Sequence, residues 1–159
     1  MSERFAHYRV LGLIGEGAMG AVYRAVDDNL RMEVAIKRLS PSLVSDPENL
    51  ARFEQEARAA ANLKHPHIAH VFFVGRSPQN EPFYAMEFID GPSLAHVIKT
   101  RTIMSGAQML TLMQQTANAL AFAAEKGVLH RDVKPGNIMI STEGRSEEHT
   151  SELQSHHDL

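Results

Sequence analysis

The sequence predicts an α+β chain: a five-stranded antiparallel half that carries one helix, followed by a helical half. Three observations predict it. Five short runs rich in Val, Ile, Leu and aromatic residues are separated by glycine, proline and aspartate turn signals. One helix-period segment with a start signal interrupts those runs. After Asp90-Gly91-Pro92 the strand signals give way to two helix-period segments.

In chain order, residues 8–14 alternate loosely and read as a strand, and residues 21–26 read as its hairpin partner across a glycine-rich turn at 15–20. Asp27-Asp28-Asn29 is a second turn, and residues 33–39 are a third strand. Ser45-Asp46-Pro47-Glu48 is a helix start: Ser or Asp can cap, Pro47 suits the first turn, and Glu48 can close a capping box. Leu50, Phe53, Ala57, Ala60 and Leu63 keep helical spacing until His65-Pro66, where the helix is expected to end. Residues 68–74 and 83–88 read as two more strands, split by the turn-rich stretch 75–82. Residues 93–99 predict a short helix and 105–126 a long one, capped by Gly127. Met109, Leu112, Met113, Ala117, Leu120 and Ala124 fall on or near one face of the long helix. Residues 128–140 read as a loop with short strands. The expected division is 1–89, 90–144 and 145–159.

Composition narrows the function classes. With 43% hydrophobic and 22% charged residues, the 159-residue chain reads as ordinary soluble protein. A net charge of −3 gives no basic excess for nucleic acid or an anionic membrane surface. The absence of cysteine excludes a disulfide scaffold, a cysteine-zinc site and a thiol nucleophile. No apolar run reaches the roughly 18 residues that a spanning helix needs. The first nine residues are polar and mixed, so no signal peptide is expected. A cytoplasmic protein is the expectation, although a longer parent could carry an anchor.

Residues 145–159 do not match the rest. They are acidic, lack aromatic residues and carry three histidines, and without them the body is charge-balanced. Residues 145–155 resemble a translated sequencing-library adapter, so this tail is set aside as non-native or disordered. The native reading frame is expected to continue past Gly144.

Three motifs can carry chemistry. In Gly15-x-Gly17-x-x-Gly20-x-Val22, glycines let backbone approach phosphates and offer N–H donors. A dinucleotide-binding fold needs a helix straight after the third glycine, whereas a strand follows here. In Val34-Ala35-Ile36-Lys37, a lysine within an apolar strand is costly unless paired. It can serve phosphate oxygens if a carboxylate holds it; the plainer reading is an edge lysine reaching water. Glu54 and Glu56 are candidate partners, and Glu56 is favoured because it flanks the Phe53/Ala57 stripe. In residues 130–137, His-Arg-Asp-Val-Lys-Pro-Gly-Asn, Asp132 can accept or orient a hydroxyl proton. Lys134 can neutralise charge on a transferred phosphoryl group, and Asn137 offers a neutral oxygen to magnesium. His65, His67 and His70 straddle Pro66 without a nearby carboxylate or cysteine and read as a surface loop rather than a metal site.

Together and in this order, the motifs resemble the N-terminal half of a protein kinase domain. The chain is similar to bacterial serine/threonine kinases of eukaryotic type over about residues 8–140. The resemblance implies a protein-kinase-like fold, with a glycine-rich loop and hinge in a five-stranded N-lobe and a truncated helical C-lobe. It implies ATP and magnesium as cofactors and a protein substrate bearing a Ser or Thr hydroxyl. Gly15, Gly17 and Gly20 would cover the ATP phosphates, with Ile14 beside them. Lys37 would bind the α and β phosphates and pair with Glu56. Asp132 would be the catalytic aspartate, assisted by Lys134, and Asn137 a magnesium ligand. Val22 and Ala35 would pack on adenine from above and Met139 from below. Met86 resembles the gatekeeper, and Glu87 to Ile89 the hinge. Asp-x-Lys-Pro-x-Asn, with Lys134, is the serine/threonine form.

The chain contains no Asp-Phe-Gly segment, whose aspartate chelates magnesium in that family, and no activation loop. It is therefore expected to be inactive as it stands, with the apolar face of its long helix partly exposed and its solubility poor. Two other readings compete: a nucleotide-binding pseudokinase or scaffold, and a small-molecule phosphotransferase. The retained Lys37, Asp132 and Asn137 argue against the first, and Lys134 with the Glu56 helix against the second.

Overall fold

The computed structural model describes residues 3–142, so the expected adapter-like tail lies outside the described residues. The elements are β1 (Arg4–Phe5), β2 (Tyr8–Gly17), β3 (Gly20–Asp27), β4 (Met32–Leu39), α1 (Pro41–Val44), α2 (Pro47–Ala61), β5 (Val71–Arg76), β6 (Pro82–Glu87), α3 (Leu94–Lys99), α4 (Gly106–Glu125) and a 3-10 turn at Pro135–Asn137. They form two compact units. Of the described residues, the first takes those up to Phe88 and Phe122–Val128, and the second Ile89–Ala121 and those from Leu129 to Thr142.

The first unit is built on an antiparallel sheet of order β1-β2-β3-β4-β6-β5. It has six strands rather than the expected five. The extra strand, β1, is only two residues long, and one aromatic side chain anchors it. Phe5 is buried, its ring centroid 5.7 Å from that of Tyr23 and 5.3 Å from that of Phe83. A one-turn helix, α1, is likewise additional.

Side chains alternate across a strand, so β4 divides its residues between the two sheet faces. Val34 and Ile36 join Phe5, Tyr8, Ala25, Phe83 and Ala85 in the apolar core of one face. Burial pushes the Tyr8 phenol up to about 12, with the Asp27 charge adding to it. Ala35 and Lys37 fall on the opposite face, on which α2 packs. The Phe53 ring of α2 lies 5.2 Å from that of Tyr84 on β6. Glu54 of α2 accepts from Arg76 of β5 at 3.3 Å and from Arg58, one turn on, at 3.1 Å.

The start of α2 differs from expectation in detail. Of the two expected caps Asp46 serves, accepting from the Glu48 N–H at 2.9 Å, and only the role of Glu48 changes. Glu48 is thus one position too early to close a capping box; Asn49 instead donates to the Asp46 carboxylate at 2.7 Å. The helix also stops at Ala61, before His65-Pro66. Asn62 ends it by folding its side chain back to the Arg58 carbonyl at 2.9 Å, and Leu63 is buried just beyond.

In the second unit, Ser93 caps α3 by accepting from the His96 N–H at 3.2 Å. Ser105 and Gln108 form a reciprocal capping box at the start of α4: Gln108 N–H donates to Ser105 Oγ at 3.1 Å, and Ser105 N–H to Gln108 Oε1 at 2.9 Å. The last turn of α4 belongs to the first unit; there Val128 N–H reaches the Ala123 carbonyl and Gly127 N–H the Ala124 carbonyl, both at 2.9 Å. This is a Schellman turn, and its left-handed position (φ 76°) is filled by Gly127, as expected. The apolar face of α4 is partly exposed, as expected: Met109, Met113, Ala117 and Ala124 are exposed and Leu112 and Leu120 half-buried, while the buried positions of the helix are Ala119 and Ala123.

Residues 128–140 contain no strand; they contribute the 3-10 turn and a single bridge between Ser93 and Met139. Around that bridge three backbone rungs form, from Leu94 N–H to the Ile138 carbonyl (2.8 Å), Ile140 N–H to Pro92 (2.9 Å) and Thr142 N–H to Asp90 (2.9 Å). Among the described residues no helix is long and apolar enough to cross a membrane.

Candidate active site

The 130–137 turn organises itself locally. Arg131 adopts a left-handed conformation (φ 56°), and the Asp132 N–H closes on the His130 carbonyl at 2.7 Å. Lys134 is extended (φ −152°, ψ 159°), with Pro135 starting the 3-10 turn. In an extended segment residues two apart project to the same side, so Lys134 reaches Asp132, with Nζ 2.7 Å from Oδ2. The turn then brings Asn137 back. Its Nδ2 donates to the Asp132 carbonyl at 2.8 Å and to Oδ2 at 3.2 Å.

Three sequence-predicted residues thus meet at one carboxylate. The hydrogen bond from Lys134 holds the Asp132 carboxyl below its usual range; the Asn137 hydrogen bond and the Lys134 and His130 charges act in the same direction. The side chain is 62% exposed, so it is an ionised, accessible base. Oδ2 takes both donors, while Oδ1 has no partner among the described residues. That free oxygen can accept a hydrogen bond from an incoming hydroxyl.

The first unit places a second set of predicted residues on one sheet face. Lys37 sits opposite Val22 on β3 and Tyr84 on β6, and Ala35 sits opposite Met86. Val22, Ala35, Lys37 and Met86 therefore share the face on which α2 packs. The glycines at the tip of β2–β3 divide. At Gly20 an added Cβ would stand 1.9 Å from the Arg38 carbonyl oxygen, at φ 147°, so the fold itself requires glycine. At Gly15 and Gly17 a Cβ would meet nothing within 4 Å, so room remains in front of this backbone. Ile14, on the same strand, is exposed. The Glu87 N–H is already taken by the His70 carbonyl at 2.8 Å. Ile89 and Met139 belong to the second unit, where Met139 bridges Ser93.

One expected contact is not made. Glu56 is exposed and forms no ion pair with Lys37. Helix α2 sits so that Phe53 and Ala57 are buried, which turns Glu56 outward, while Glu54 is the carboxylate engaged with the sheet, through Arg76. Lys37 Nζ instead lies 5.7 Å from the centroid of the Tyr84 ring. Tyr84 escaped the sequence reading, although the apolar β6 run and its antiparallel pairing with β4 were the signal that could have put it opposite Lys37.

Asn137 presents an amide oxygen suited to magnesium. Magnesium takes few protein ligands beside phosphate and water oxygens, so one amide is a partial set. Among the described residues no three His, Cys, Asp or Glu side chains group to hold a metal. The His65 and His67 rings meet edge to face, with centroids 5.4 Å apart.

Comparisons with known proteins give the family. The protein kinase domain family matches residues 8–148. The serine/threonine-protein kinase PknA of Mycobacterium tuberculosis is 42% identical over 142 residues, covering 87% of this chain and 33% of that protein. The serine/threonine-protein kinase pkn3 of Myxococcus xanthus is 39% identical over 133 residues, covering 84% of this chain and 24% of that protein. The crystal structure of the M. tuberculosis PknI kinase domain is similar with a TM-score of 0.76 at 33% identity, covering 89% of this chain and 58% of that one. The chain spans a third or less of the length of these two curated relatives, and less than two thirds of the solved kinase domain.

Proposed function

Because the chain belongs to the protein kinase family, on its serine/threonine branch, we propose that it is the nucleotide-binding and catalytic-turn portion of an ATP-dependent enzyme. That enzyme transfers the γ-phosphate of ATP to a Ser or Thr hydroxyl of a protein. The observation that carries this reading is the convergence of Lys134 and Asn137 on the Asp132 carboxylate. Oδ1 of Asp132 orients the substrate hydroxyl and takes its proton, while the Lys134 ammonium lies next to the charge that builds on the phosphoryl group. Bound magnesium would neutralise phosphate charge, and Asn137 Oδ1 is the protein oxygen that would hold it. Gly15 and Gly17 give the phosphates room, and Lys37 supplies a cation on the face shared with Val22, Ala35 and Met86.

This 159-residue chain is proposed not to complete the reaction. It has no Asp-Phe-Gly aspartate, and among the described residues no carboxylate pairs with Lys37. Phosphoryl transfer depends on positioning and charge neutralisation, so each loss acts directly on the rate. The test is phosphate transfer from radiolabelled Mg·ATP to a generic protein substrate. The chain alone should show none above background, whereas a kinase domain with these residues followed by an Asp-Phe-Gly segment should transfer, and Asp132→Asn in it should abolish transfer. Asp132-dependent turnover by the 159-residue chain would overturn its inactivity; an Asp132→Asn domain of full activity would overturn the role of Asp132.

A further inference from the structure

We infer that Tyr84 is a positioning residue for Lys37, an aromatic seat that holds the ammonium on the sheet face and ties it to helix α2. The inference rests on the reading of Lys37 as the phosphate-binding cation. Three observations converge on this ring. Tyr84 is the residue directly opposite Lys37 in the β4–β6 register, so both side chains leave the same face. Lys37 Nζ lies 5.7 Å from the ring centroid, within reach of a cation–π interaction. The same ring packs on Phe53, the buried anchor of α2, at 5.2 Å between centroids.

Chemistry gives this arrangement a purpose. A half-buried ammonium with no carboxylate in ion-pair range among the described residues needs some favourable neighbour. The face of an aromatic ring offers negative potential without fixing the direction of the N–H bonds. Lys37 is therefore held in place yet keeps its three donors free for phosphate oxygens. Because Phe53 presses on the same ring, a shift of α2 moves the seat, and the amine responds to the helix even while Glu56 faces solvent. A tyrosine placed only to fill the core would have no bearing on the amine.

The experiment compares the wild-type chain with Tyr84→Phe, which keeps the ring, and Tyr84→Leu, which keeps the apolar contact with Phe53 but removes the ring. Lysines are labelled by reductive 13C-methylation, the Lys37 signal is assigned with Lys37→Arg, and amide dispersion confirms that each variant is folded. The wild type and Tyr84→Phe should show Lys37 methyl protons displaced upfield by the ring, and Tyr84→Leu should return them to the position of the exposed lysines. ATP affinity should weaken roughly three- to tenfold in Tyr84→Leu and stay within about twofold in Tyr84→Phe. A Lys37 signal unchanged in Tyr84→Leu, or displaced as much in Tyr84→Phe as in Tyr84→Leu, overturns the seat. Should the wild-type chain not bind ATP, the phosphate reading of Lys37 falls, and the methyl signals still decide the seat by themselves.

Discussion

The two units treat their apolar residues differently. In the sheet unit, Ile36, Phe83 and Ala85 are fully buried within one aromatic-rich cluster. In the helical unit, Leu110, Met113 and Leu129 each expose more than half of their surface, and Val97 and Ala119 are its only buried apolar residues among those described. A sheet whose short edge strand adds Phe5 to its cluster fills its own core face, whereas a long helix needs another layer opposite it. Elements can therefore form with good caps, as α4 does, without the burial that makes them stable. An uncovered face of this kind is a liability for self-association.

Substitutions sharpen the contrast, and the largest effect is expected in the sheet core. Phe83→Ala should cost about 3–5 kcal/mol in urea unfolding, whereas Met113→Ala should change stability by no more than about 0.5 kcal/mol. Equal costs would mean that the face of α4 is covered after all. Next comes the glycine tip. Gly20→Ala, which drives a Cβ into the Arg38 carbonyl, should destabilise the sheet unit by on the order of 1–3 kcal/mol. Gly17→Ala should leave stability within about 0.5 kcal/mol and weaken ATP binding instead. Loss of stability in Gly17→Ala without loss of binding would place that glycine among the structural ones.

The smallest effect is confined to the 130–137 turn. The Asp132 carboxyl is lowered in the folded chain, so its pairing with Lys134 persists above the usual carboxylate range and is lost as pH falls through the lowered value. Lys134→Ala should shift the titration midpoint upward, read from the Asp132 carboxyl carbon by NMR. An unchanged midpoint would show that Asn137 and His130 suffice.

Legibility followed the range of the interactions. The runs of β2 to β6 and the 130–137 turn could be read because alternation and turn chemistry are local. Asp132, Lys134 and Asn137 lie within five residues of one another, and their contacts follow from that closeness. The strand β1 could not be read, since a lone Phe5 becomes a strand only when Tyr23 and Phe83 are there to receive it. The rotation of α2 was equally hidden. Glu54 and Glu56 are both reasonable partners on a helical wheel, and only the packing of Phe53 and the position of Arg76 on a distant strand decide which one faces the sheet. The partial exposure of the α4 face could be read, since its Met and Leu positions follow from helical spacing; that Ala119 and Ala123 are its buried positions could not.

The three rungs between residues 90–94 and 138–142 fasten the two ends of the helical unit to each other. The chain between the two sides of that clasp carries α3, the start of α4 and the Asp132 turn. Ile103 is 94% exposed in the α3–α4 connection, an open target for a protease. A single cut there should give two pieces that migrate together on a native gel and separate only in denaturant, because the clasp joins residues on either side of the break.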